Sequence, residues 1–131
     1  MSDFFHPCVS MKQGMAKARY KADFDLLVAG DLLMKDGEFT EVRHSERLGL
    51  VKTYGKIQVI LFSHGEVTVQ PFRSQEDAYR YMKELSMKLW DAQICPESGK
   101  AVRGCSLPEC RDGCWAKNKT YIPLLYEREY D

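Results

Sequence analysis

Several things are missing from this sequence, and each absence closes off a class of function. No apolar run approaches the roughly 20 residues needed to cross a bilayer as a helix, so no membrane span is expected. The opening stretch, Met1 to Cys8, has no basic region followed by an apolar core, so it does not read as a secretory signal, and a cytoplasmic protein is expected. Neither charge is in surplus: 19 Lys and Arg face 19 Asp and Glu, which gives no general pull toward nucleic acid or an acidic membrane. There is no G-x-G-x-x-G, no Walker loop and no Ser–His–Asp order; Gly37, Gly49 and Gly55 read as turn or strand glycines, not a phosphate cradle. No residue stands out as a general acid or base, and the chain is expected not to be an enzyme. Internal repeats and low-complexity tracts are also absent.

What is present divides into three parts. Residues 1–14 form an arm with no clear periodicity, residues 15–93 a folded body, and residues 94–131 a cysteine-bearing segment with a tail. At 131 residues and 44% hydrophobic, the chain suffices for one core. In the body, Ala16 to Asp23 suits a strand with Ala18, Tyr20 and Ala22 on one face. Phe24 to Met34 suits a helix carrying Leu26, Leu27, Leu33 and Met34, interrupted or ended near Gly30, before a turn at Asp36-Gly37. Three strands follow. Leu48 to Tyr54 is the first; Ile57, Val59 and Leu61 alternate in the second; Val67 and Val69 alternate in the third. Gly55 and His64-Gly65 divide them into an antiparallel meander. Ile60 and Phe62 fall on the other face of the second strand, which places that strand centrally. Ser74 can cap a helix in which Ala78, Met82, Leu85, Leu89 and Ala92 recur at spacings of four and three, one apolar stripe for packing on a sheet. The expected fold class is therefore α+β: an antiparallel sheet with a long helix on one face, followed by a C-terminal cysteine-ligated loop.

Four of the five cysteines crowd the last third, as Cys95-x9-Cys105-x4-Cys110-x3-Cys114. An odd total in a reducing compartment argues against a disulfide framework. Thiolates are soft anionic ligands, and four of them suit a tetrahedral zinc or an iron–sulfur cluster. Structural zinc usually sits in close Cys-x2-Cys pairs, which this spacing lacks; ligands spread by four, three and one longer interval wrap more easily around a 4Fe-4S cluster. The cofactor expected is a 4Fe-4S cluster held by Cys95, Cys105, Cys110 and Cys114, with zinc as the alternative and four unligated thiols as the plain reading. Gly104 and Gly113 precede ligands, and Leu107 and Trp115 can shield a cluster from water. Residues 94–119 hold few large aliphatics, so the body is expected to fold without the metal and this segment is not. The tail from Tyr121 to Tyr126 is apolar enough to dock.

The arm carries Phe4, Phe5, His6, Pro7 and Cys8. Two adjacent exposed phenylalanines favour burial against something, and Pro7 holds His6 in an extended form. Phe4, Phe5 and His6 are thus candidate partner contacts, with His6 a possible ligand to a partner's metal. Cys8 beside His6 can be a reactive thiol or an incidental one. His44, among charged residues, and His64, in a turn, are assigned no role.

The order strand, helix, strand meander and closing helix resembles one half-repeat of the TATA-binding-protein fold, carried by "SHGEVTV" and "SQEDAYRYMKEL". Joined to "CPESGKAVRGCSLPECRDGC", it resembles a small iron–sulfur protein of methanogenic or other strictly anaerobic archaea. That resemblance implies an accessory or regulatory role, redox- or oxygen-responsive, beside a larger metalloenzyme complex that can carry a corrinoid or other metal, as in methyl transfer. DNA binding does not follow from a single half-repeat at zero net charge, and nucleic acid is disfavoured as a partner. A small electron carrier and a zinc-stabilised nucleic-acid module are the rival expectations.

Overall fold

The computed structural model describes residues 9–45, 47–95, 99–102 and 121–125. Strand β1 (Ser10–Lys12) pairs antiparallel with β2 (Met15–Arg19) across a two-residue turn in which Gln13 and Gly14 both take positive φ, at 53° and 80°. That geometry matches the right-handed twist of two short strands. Ser10–Lys12 therefore belongs to the sheet, although it falls within the stretch expected as an arm.

Helix α1 (Leu26–Lys35) follows, its N-terminal amides capped by Asp25, whose carboxylate accepts from Leu27 N at 3.0 Å and Val28 N at 3.3 Å. The helix runs through Gly30 without a break, contrary to the interruption expected there. Gly30 lies against the sheet, where an added Cβ would meet Val42 and Val51 at 3.8 and 3.9 Å. The buried stripe is Ala29 and Leu33, flanked by Leu26, while Leu27 and Met34 face solvent; the mixed apolar spacing had concealed which face was which.

Four strands then run as a meander: β3 (Phe39–Ser45), β4 (Leu50–Gly55), β5 (Gln58–Phe62) and β6 (Glu66–Gln70). β6 returns to pair with β2, giving an all-antiparallel sheet in the order β1-β2-β6-β5-β4-β3. β5 is internal, as expected. β3 is an added edge strand that the sequence did not announce. The closure between β2 and β6 needs glycine at position 65. Gly65 has φ +103°, and a Cβ there would lie 2.5 Å from the Tyr20 carbonyl oxygen and 2.6 Å from that of Ala22. The same close approach lets the Tyr20 amide donate to the Gly65 carbonyl at 2.9 Å.

Alternation gives the sheet two faces. Ala16, Ala18, Val67, Val69, Val59 and Leu61 point to one, all fully buried. Helix α2 (Gln75–Lys88) covers that face, capped by Ser74, whose hydroxyl accepts from Asp77 N at 3.1 Å. The expected stripe of Ala78, Met82, Leu85, Leu89 and Ala92 is buried throughout, its last residue in a 3-10 turn at Trp90–Ala92. The Tyr20 hydroxyl donates to the Met82 carbonyl at 2.5 Å, tying β2 to α2 through the core. Burial holds its phenol well above the ordinary range. Nearer the surface, the Tyr81 hydroxyl donates to Glu38 at 2.8 Å, and Lys88 bridges Asp36 and Glu38 at 3.1 and 3.2 Å. Burial first, and then the bond to Glu38, pushes the Tyr81 phenol upward. For Lys88, desolvation lowers its proton affinity, but the bonds to Asp36 and Glu38 outweigh this and the net shift is upward. No helix among the described residues is long and apolar enough to cross a membrane.

Candidate metal centre

The cysteine segment begins where the helical layer ends. After Trp90–Ala92 the chain becomes extended at Gln93 and lies beside the entry to α1. Asp25 N donates to the Ala92 carbonyl and Ile94 N to the Asp23 carbonyl, both at 2.8 Å, and Phe24 bridges Gln93. On the other side the chain doubles back. Ile94 bridges Ala101, and Val102 N donates to the Gln93 carbonyl at 2.9 Å.

Cys95 sits at the start of this return. Its amide donates to the Lys100 carbonyl and its carbonyl accepts from Gly99 N, both at 2.8 Å, with Gly99 at φ 71°. The residue is 2% exposed. A thiol so placed has a fixed backbone and little access to water. It can be ionised there only if a metal or several donors offset the loss of hydration. Gln93, two residues earlier on the same side of the extended chain, is also buried, and its Nε2 has no hydrogen-bond partner among the described residues. Sequence reasoning passed over Gln93; a lone glutamine after an apolar stripe carries no pattern that would mark it.

The far end of the segment is fastened too. Lys21 N donates to the Pro123 carbonyl and Leu125 N to the Arg19 carbonyl, each at 2.8 Å, with Tyr20 bridging Leu124. Ile122 enters the core at 1% exposure, its amide donating at 2.9 Å to the Ser86 hydroxyl, which in turn donates to the Lys83 carbonyl at 2.7 Å. Lys83 Nζ lies 4.4 Å from the centre of the Tyr121 ring. The tail docks, as its apolar composition suggested. Ser86 was the unanticipated partner, a polar residue on the buried face of α2.

Cys105, Cys110 and Cys114 lie outside the described residues, as do Leu107 and Trp115 and the arm residues Phe4, Phe5, His6 and Cys8. Among the described residues no three His, Cys, Asp or Glu side chains converge as a metal site. His44 is an exposed residue of β3. His64 is exposed in the β5–β6 turn, 3.7 Å from Glu66 with its ring 5.6 Å from that of Phe62. An open groove lined by Gly14, Pro71, Phe72, Arg73 and Asp77 brings one carboxylate and one guanidinium to its rim and no acid–base pair with a third orienting group.

No protein-family model matches the chain, and neither a curated protein nor a solved structure matches it. Its function must therefore be argued from its own residues.

Proposed function

We propose that the chain is a metal-thiolate accessory protein, with Cys95, Cys105, Cys110 and Cys114 holding one centre, a 4Fe-4S cluster in preference to zinc. The observation that carries this reading is the placement of Cys95, a buried thiol just past the end of the helical layer, its backbone bonded to Lys100 and Gly99. A buried position suits a ligand sulfur, because an uncompensated thiolate there would be costly. The spacing of the other three cysteines within nineteen residues of Cys95 supplies the rest of a four-thiolate set.

The role we assign to the centre is redox- or oxygen-responsive regulation or protection of a larger metalloenzyme complex, not catalysis. Metal binding is folding energy for the segment that supplies the ligands, so loss of the cluster would change the shape this segment offers a partner. Phe4, Phe5 and His6 would add an anchored imidazole, a suitable axial ligand for a partner's metal such as corrinoid cobalt. An electron carrier using the same cluster is the nearest rival.

The test is anaerobic purification with an absorption spectrum and iron, sulfide and zinc analysis. Roughly four iron and four sulfide per chain, with absorption that bleaches on reduction, is the expected result. One zinc and no colour would select the alternative metal. Absence of any bound metal would overturn the reading.

A further inference from the structure

The second face of the sheet is the part of the molecule that no described element covers. Both helices, Ile122 and the core lie against the other face. Its central row runs Lys17, Thr68, Ile60, Lys52 and Arg43, each paired directly with the next across β2, β6, β5, β4 and β3. Cations stand at the ends and an aliphatic side chain in the middle. Leu50 and Phe62, paired with each other, extend the apolar centre on one side of that row, and Tyr54 flanks it on the other. All three are half-buried. The Tyr54 ring is overlain by Arg43 at 5.4 Å and Lys52 at 5.5 Å, which fixes an aromatic between two cations.

The sign of the face is decided by its register. Lys12, Lys17, Arg19, Arg43 and Lys52 project from it, against Glu41 and Glu66. The whole chain is neutral, so this positive excess is local and is balanced by acids elsewhere, Asp25, Asp31, Asp36 and Glu38 among them. An apolar centre holding a tyrosine and a phenylalanine, ringed by arginine and lysine, is the anatomy of a protein-binding patch. A phosphate backbone with stacked bases is disfavoured by the placing of the rings: Phe62 and Tyr54 stand on opposite sides of the central row with Ile60 between them, where a base-stacking platform needs successive aromatic rings. A second copy applying the same face would set cations against cations.

We propose that this face of the sheet docks a protein partner that presents Asp and Glu side chains around an apolar ridge. The inference rests on the reading of the chain as an accessory to a larger complex, and it names the surface by which the chain attaches. The docking face lies on the opposite side of the sheet from the helical layer to which Ile122 is fastened through Ser86, so a partner held there leaves that layer uncovered.

The experiment uses the full chain carrying the photoreactive residue p-benzoyl-phenylalanine in place of Tyr54, irradiated anaerobically in extract of the cells that make it. A matched control carries the same group at Leu27, which is 67% exposed on α1. The expected result is one discrete protein adduct from position 54 and none from position 27, with the linked peptide rich in Asp and Glu beside apolar residues. Adding Arg43→Glu and Lys52→Glu should lower the yield about tenfold, while Lys52→Arg should preserve it, with melting curves showing that all variants fold. No adduct at position 54 would overturn the proposal. So would an adduct indifferent to charge reversal, or one formed with nucleic acid, with a second copy or with residues 1–8 or 103–120 of the same chain. Metal content measured on the same samples separates the two readings. An adduct without metal keeps the docking face and removes the metal centre, and metal without an adduct does the reverse.

Discussion

Val59 and Cys95 are both buried, and the contrast between the regions they belong to explains how the molecule is built. Val59 lies in a sheet strand whose neighbours on the same face, Leu61, Val67 and Val69, are all fully enclosed under α2. Its burial is the common result of apolar area leaving water, worth about 1.5–3 kcal/mol per side chain of that size. Cys95 lies in a hairpin held by backbone hydrogen bonds to Lys100 and Gly99 and by the bridge from Ile94 to Ala101. The body encloses Val59 with side chains of its own strands and helices. The cysteine segment borrows its two ends from the body and is proposed to draw the rest of its order from a metal.

The largest effect that would break this contrast is on the body itself. Leu61→Ala removes a fully buried side chain from the central strand and should lower unfolding stability by about 2–5 kcal/mol in a urea titration. Gly65→Ala should follow at about 1–3 kcal/mol, because a Cβ would press on two backbone carbonyls that have no room to move. If either change lowered metal content while leaving the urea midpoint intact, the division between body and segment would be misplaced.

Ser86→Ala sharpens the contrast at the place where the two regions meet. It leaves the buried Ile122 amide without its acceptor and should cost about 1–3 kcal/mol. In hydrogen exchange it should release the Ile122 amide first, with the β5 and β6 ladders unaffected. Metal removal should have a different signature. The expectation that residues 94–119 do not fold without metal is narrowed at its first residue: the Ile94 amide bonds to the Asp23 carbonyl and should remain protected, as should the Ile122 amide on Ser86 beyond the segment.

The smallest expected effects concern titration and surface charge. Tyr20 and Tyr81 have phenols raised above the ordinary value in the folded state. Their contribution is then fully present below about pH 10, the unfolded phenol value, and is lost as pH rises above it, since only the unfolded chain ionises readily. A urea midpoint that is flat from neutral pH to about 9 and falls beyond about 10 would agree. Tyr81→Phe should soften that fall. Lys17→Ala, which removes an exposed pair with Glu66, should change stability by less than about 1 kcal/mol.

How far the sequence foretold these regions depended on whether a single period governed them. The α2 stripe was readable because five residues kept one helical face and Ser74 marked its start. β5 and β6 were readable by strict alternation between glycine turns. β3 was missed because a register shift between Phe39 and Glu41 breaks the alternation, so Phe39 and Val42 fall on the same face at a spacing of three. β1 has only three residues, and its sole signal was Gln13-Gly14, a turn with two positive φ angles in which glutamine stands where asparagine is more usual. Gly30 looked like a helix breaker because a glycine against a sheet and a glycine at a helix end are identical in sequence. At the candidate centre, the spacing of the cysteines could propose ligands. It could not show that Ile94, beside Cys95, is bonded to Asp23 or that Ile122 anchors the far side, since both depend on contacts between residues far apart in the chain.

The most direct test of the central claim is metal content per chain after anaerobic purification, compared among the native protein, Cys110→Ala and Cys8→Ala. One centre shared by Cys95, Cys105, Cys110 and Cys114 predicts that Cys110→Ala loses most of its metal while Cys8→Ala keeps all of it, with the urea midpoint of the body unchanged in both. Full occupancy in Cys110→Ala, or loss of metal in Cys8→Ala, would contradict it.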